Sequence, residues 1–149
     1  MQIKSYSPRT TKELGAKIAR QVLCAPAGRE AKVIALAGDL GSGKTTFTQG
    51  FVRGLGIRTR VTSPTFILMR KLAISHKLYA NCYHVDAYRL RQPREILKLG
   101  WREISENPQN IVLVEWADKL GTLLPQRVMR VKFLHGDKPH KRVIKVGRF

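Results

Sequence analysis

Eight residues, Gly38-Asp39-Leu40-Gly41-Ser42-Gly43-Lys44-Thr45, restrict what this chain can fold into more than anything else in it. They match G-x-x-x-x-G-K-[ST], a pattern that functions only between a buried strand and a helix. Both neighbours have the required character. Ahead of the loop, Val33-Ile34-Ala35-Leu36-Ala37 is a continuous apolar run, as expected of a central strand covered on both faces. Behind it, Thr45 to Leu55 reads as a helix with Phe47, Phe51 and Val52 inward, stopped by Gly54 and Gly56. With glycine at about 7% of residues in general, a chance match in a chain this long is on the order of one in a hundred.

Each residue type in the loop has a physical task. Gly38, Gly41 and Gly43 let the backbone turn sharply, so that with Ser42 successive N–H groups form a nest for phosphate oxygens at a helix N-terminus. Lys44 brings a mobile positive charge to the β and γ phosphates, Thr45 offers a hydroxyl to Mg²⁺, and Thr46 contacts the α phosphate. ATP with Mg²⁺ is the expected ligand. Such a pair calls for a second acid at the end of a neighbouring buried strand, and Ile111-Val112-Leu113-Val114 ends at Glu115. The plainer alternative is an ordinary strand-end carboxylate. Asp86, after His84-Val85, can hold a metal-bound water, act as base toward an attacking water, or serve as a structural partner of Arg89. Trp116, directly after Glu115, is placed to stack on a base, although a core tryptophan is the commoner fate.

The rest of the chain supplies a frame for this site. Thr10 and Thr11 followed by Leu14, Ile18, Val22 and Leu23 predict a capped helix ending before Pro26 and Gly28. Val61 to Phe66 contains Ser63-Pro64-Thr65 and reads as a loop into a strand over Phe66 to Leu72. Leu78 to Val85 is a second strand, turned back by Ser75-His76-Lys77 into an antiparallel pair. Pro93 opens a short helix that Gly100 closes, and Val128 to Leu134 with Val143 to Val146 form a terminal hairpin. The expected fold is α/β: a single P-loop NTPase-like domain over residues 1–149, with a mixed β-sheet flanked by helices.

Composition narrows the setting. No run approaches the roughly 20 apolar residues of a membrane span, and no apolar signal segment follows Met1, so a soluble cytoplasmic protein without membrane contact is expected. Cys24 and Cys82 stand apart, without metal-ligand spacing, and read as buried small hydrophobes. Lysine and arginine number 28 against 10 acids, a net charge of +18. Such an excess draws polyanions, RNA or an acidic protein, or else is simply a solvated basic face; its spread along the chain does not say which.

Taken together, the motifs resemble the TsaE family, the bacterial P-loop ATPases of tRNA threonylcarbamoyladenosine biosynthesis. The match runs through Thr11-Lys12-Glu13-Leu14-Gly15, the phosphate loop with Thr46-Phe47, Ser63-Pro64-Thr65-Phe66, His84-Val85-Asp86-Ala87-Tyr88-Arg89-Leu90 and Val114-Glu115-Trp116. The resemblance implies ATP hydrolysis in support of the proteins TsaD and TsaB, with no transfer chemistry in this chain. It implies Thr11 as a nucleotide contact, Thr65 as a switch residue near the γ phosphate, Glu115 as the Mg²⁺ acid and Trp116 as an adenine platform. Ala87 departs from the family's usual bulky apolar residue, and the surface is more basic than expected, which leaves room for direct or indirect tRNA contact. Two rivals lack supporting features: a small-molecule kinase would want a lid segment, and a basic RNA-binding module would leave the phosphate loop unexplained.

Overall fold

A computed structural model of the chain describes residues 1–62 and 68–147. Among them run β1 (Gln2–Ser5), α1 (Pro8–Cys24), β2 (Lys32–Ala37), α2 (Lys44–Gly54), β3 (Met69–Ala73), β4 (Asn81–Asp86), α3 (Trp101–Glu106), β5 (Asn110–Glu115), β6 (Val128–His135) and β7 (Arg142–Val146), with 3₁₀ turns at Pro93–Leu99 and Ala117–Leu123. The strands form one mixed sheet in the order β1-β7-β6-β2-β5-β4-β3. The four central strands, β6, β2, β5 and β4, are parallel, and β1, β7 and β3 pair antiparallel at the flanks. The expected α/β fold with a mixed sheet and flanking helices is thus the one observed.

Alternation along the central strands builds two cores. Ile34 and Leu36 of β2 and Ile111 and Leu113 of β5 join a cluster with Ile18, Phe47 and Phe51 under α1 and α2. Their neighbours Val33, Ala35, Val112 and Val114 point the other way, into a cluster with Ile96, Trp101 and Leu120. A strand feeding both faces must be apolar at every position, which is why β2 and β5 read as unbroken runs. Each of the larger of these side chains, Val, Ile, Leu and Phe, contributes about 1.5–3 kcal/mol by leaving water.

Helices α1 and α2 cross at very short range because Gly50 faces the α1 backbone. A Cβ built there would lie 2.0 Å from the Lys12 carbonyl oxygen, so only glycine fits. This approach seats α1 against α2 and steadies the helix that follows the phosphate loop.

Several boundaries differ from expectation for local reasons. The cap of α1 is Ser7, not Thr10 or Thr11: its side chain accepts the Thr10 N–H at 3.2 Å, and Pro8 at the first helical position presets the backbone. Gly100, at φ 80°, ends the 3₁₀ turn as predicted but also opens α3, which the sequence reading missed. There Trp101 is buried and donates its indole N–H to the Leu123 carbonyl at 2.9 Å. β1 was likewise not predicted; four residues carry too little pattern to register. The β3–β4 and β6–β7 pairs are antiparallel as expected, with β3 starting at Met69. Cys82 is buried, its thiol pushed up to about 12 by desolvation, whereas Cys24 is exposed at the end of α1 and is not the buried hydrophobe expected. The Ser63-Pro64-Thr65-Phe66 motif, Thr65 included, and the predicted start of the strand at Phe66 lie outside the described residues. Among the described residues no helix is long and apolar enough to cross a membrane.

Candidate functional site

Because β2, β4 and β5 are parallel, their carboxyl ends open at the same edge, where open α/β sheets place their ligand crevices. The loop leaving β2 and the residues following β4 and β5 enclose a cleft of about 370 Å³ there. It is lined by Gly41, Ser42, Gly43, Lys44, Thr45 and Thr46 from the loop and α2, and by Asp86, Tyr88, Arg89, Glu115 and Trp116 from the other strand ends. The loop has the backbone the motif requires: Gly38, Gly41 and Gly43 all have positive φ, and Gly43, at φ 105°, is the cap from which α2 starts. Arg142 of β7 donates from Nη2 to the Gly41 carbonyl at 3.1 Å and ties the loop to the far side of the sheet.

Strand parity decides which side chains meet. Glu115 shares a face with Leu113 and Ile111, so it points toward α2; Asp86 shares a face with His84 and Cys82, also on that side, and pairs in register with Glu115. Helix α2 presents Thr45 and Thr48, three apart, on one face. Thr45 Oγ1 accordingly donates to Glu115 Oε2 at 3.0 Å, and Thr48 Oγ1 lies 3.0 Å from Oε1. His84 Nε2 completes the cage, 2.9 Å from Oε1. Glu115 is 2% exposed. Burial pushes its carboxyl up, but the bonds and charge from His84 and the bonds from Thr48 and Thr45 outweigh that and hold it below the ordinary carboxylate range. The buried acid therefore stays charged and aims one oxygen at the cleft.

Lys44 extends along the loop, its ammonium donating to the Gly38 carbonyl at 2.6 Å and the Asp39 carbonyl at 2.9 Å. It also lies 3.9 Å from the centre of the Trp116 ring. Burial lowers the Lys44 pKa, against the attraction of Glu115, Asp86, Asp118 and Asp39. Trp116 is half-buried, with its ring centre 5.0 Å from that of Tyr88. It is the one non-glycine residue with positive φ among the described residues, at 57°. A bulky residue held in that region costs on the order of 1–3 kcal/mol, and such strain concentrates at functional sites. At this turn the indole lines the cleft and also packs against the second core cluster.

Of the residues singled out in the sequence, Gly41 to Thr46, Asp86, Glu115 and Trp116 meet in one cleft. Asp86 receives the Tyr88 N–H on Oδ1 at 3.0 Å. Thr11 lies behind the loop, its methyl 3.8 Å from where a Gly43 Cβ would be, and its hydroxyl is engaged by Ser5 at 2.8 Å. His84, Thr48 and Arg142 were not anticipated. The first two were within reach of pattern reasoning, since His84 is two residues from Asp86 on a strand and Thr48 is one helical turn from Thr45; Arg142 carried no local signal. The donors also suit a small hard cation. Thr45 and Glu115 offer oxygens, and Asp86 pairs in register with Glu115 beside them.

Fold and cleft together define a P-loop α/β domain. The comparisons with known proteins make this more specific. The model of the family described as "Threonylcarbamoyl adenosine biosynthesis protein TsaE" matches residues 5–144. The TsaE of Bacillus subtilis is 36% identical over 128 residues, 86% of this chain and 73% of the relative. That of Treponema pallidum is 31% identical over 88% of this chain and 89% of its own length. The Haemophilus influenzae TsaE is 40% identical over 97 residues, 65% of this chain, and the match spans 59% of that relative's length. The crystal structure of Bacillus subtilis YdiB superposes with a TM-score of 0.74 at 32% identity, covering 98% of this chain and 83% of the other. The chain belongs to the TsaE family of tRNA threonylcarbamoyladenosine biosynthesis proteins.

Proposed function

We propose that the chain binds ATP with Mg²⁺ in the cleft and hydrolyses it, in support of TsaD and TsaB, the proteins that carry out the threonylcarbamoyl transfer. The observation that carries this reading is the contact between Thr45 and Glu115: a helix-start hydroxyl bonded to a buried, ionised strand-end acid at 3.0 Å, directly beside a phosphate nest. Gly41 to Thr46 present their N–H groups to the phosphates, and Lys44 swings from the loop carbonyls to the β and γ oxygens. Thr45 and Glu115 hold the cation, which when bound neutralises phosphate charge developing in the transition state. His84 and Thr48 keep the Glu115 carboxylate oriented. Asp86, in register with Glu115, orients water at that end of the cleft, and Thr65 reads the terminal phosphate. Trp116 stacks on the adenine, for which Lys44 or Tyr88 must leave a ring face.

The test is turnover of ATP. Lys44→Ala lowers it by at least about a hundredfold in a variant whose thermal midpoint holds, the size of effect seen when one transition-state charge partner is removed. Glu115→Gln lowers hydrolysis far more than nucleotide affinity. The unaided protein turns over slowly, and TsaD with TsaB raises the rate. Normal hydrolysis by both variants sinks the site, whereas no complex and no rate change with the two proteins sinks the partnership alone.

A further inference from the structure

The two faces of the sheet are covered unequally at the β1-β7-β6 end. Val131 and Phe133 of β6 and Ile144 and Val146 of β7 enter the core under α1 and α2, with Ile3 of β1 packed against it. Alternation then sends Arg130, Lys132, Lys145 and Lys4 to the opposite face, where all four are exposed. Register brings them together: Lys132 is the partner of Lys145, Lys145 pairs on its other side with Gln2, and Lys4 faces Val143. Arg130 precedes Lys132 by two residues along the strand, about 6.6 Å away. The three strands contain no acidic residue. Asp137, in the β6–β7 turn, is engaged by Lys141 at 2.7 Å, and none of the four cations forms an ion pair among the described residues.

Folding by itself disfavours this arrangement, since like charges directly opposite on a sheet repel. A surface that collects cations in register on strands without acids, with Asp137 of the adjoining turn near Lys4 but engaged by Lys141, gains from a chain of negative charges at similar spacing. We infer that the open face of β1, β7 and β6, through Lys4, Arg130, Lys132 and Lys145, contacts the phosphate backbone of RNA. A polynucleotide fits better than an acidic protein because the family acts in a tRNA modification pathway. Among the described residues of the three strands, the face carries no Phe, Tyr or Trp to stack a base, so the contact reads backbone and shape, not sequence. This goes beyond the nucleotide reading and uses no residue of the cleft.

The test is binding of unmodified tRNA by the full chain without nucleotide, followed by fluorescence anisotropy across a salt series. A triple variant, Arg130→Ala with Lys132→Ala and Lys145→Ala, is set against a control that removes equal charge from the helical side, Lys17→Ala with Arg20→Ala and Arg53→Ala. The expected result is at least a tenfold loss of affinity and a salt slope shallower by about 2 to 3 for the first variant, with the control within about twofold of the parent. Equal losses in both variants mean diffuse charge and overturn the assignment. So does absence of tRNA binding by the parent, or binding of a poly-aspartate peptide through this face in its place. ATP turnover, measured separately, stays at the parental level in the first variant, so failure of the nucleotide reading and failure of this one are told apart.

Discussion

The two halves of the sheet obey different rules. In the parallel half, β2 and β5 are buried on both faces, and every residue between Asn110 and Glu115 is inside. Toward the flank, β6 beyond Val128 and β7 bury one face and leave the other largely to solvent, with Arg130, Lys132 and Lys145 exposed there. At the end of a doubly buried strand a charged side chain such as Glu115 is held by partners on α2 and β4 at hydrogen-bond distance. Single burial leaves charge free to meet something outside the molecule. The difference separates the side chains that the fold orients from those that it leaves to solvent.

That contrast can be broken by substitution. The largest effect is expected for Leu113→Ala, which empties a fully buried position in the parallel half and costs about 2–5 kcal/mol in urea unfolding. A loss below 1 kcal/mol would show that the centre of the sheet is no more constrained than its flank. Next comes Trp116→Ala at the rim of the parallel half. Base stacking on an aromatic is worth about 1–3 kcal/mol, so nucleotide affinity falls roughly ten- to a hundredfold. With Trp101→Phe as background, the remaining indole also reports ATP or ADP by a saturable change in emission. Affinity within a factor of about two of the parent would make Trp116 a packing residue for Tyr88 and Lys44. The smallest effect belongs to the open half: Lys132→Thr relieves repulsion by Lys145 and stabilises by about 0.2–1 kcal/mol, a gain that shrinks as salt screens the pair. A loss of stability at low salt would mean that Lys132 contributes to folding, and that its charge does not stand there for a partner.

Much of the site was legible because its signals are local. The phosphate loop is contiguous, its flanking strand and helix follow their own periodicities, and Glu115 ends the second unbroken apolar run. His84 escaped because one histidine in a strand is ambiguous until the neighbouring strand is known; it reaches Glu115 only through the β4–β5 pairing. Arg142 escaped for a stronger reason, since it meets Gly41 from the other end of the chain. The cap at Ser7 and the helix α3 were misjudged at the scale of one or two turns, where competing caps and a glycine serving two elements cannot be separated by pattern.

Residue order alone determined that there is a nucleotide-type loop between strand and helix, that two strands lie at the centre of an α/β sheet, and which acid ends the second of them. These follow from backbone freedom at glycine and from the period of burial, both properties of short segments. Tertiary structure decided everything that depends on which strand lies beside which. It set the cage of Thr45, Thr48 and His84 around Glu115, the left-handed turn at which Trp116 lines the cleft, and the gathering of Lys4, Arg130, Lys132 and Lys145 on one open face. Sheet register converts positions far apart in the chain into neighbours a few ångströms apart, and a one-residue change in it would send each of those side chains to the opposite face.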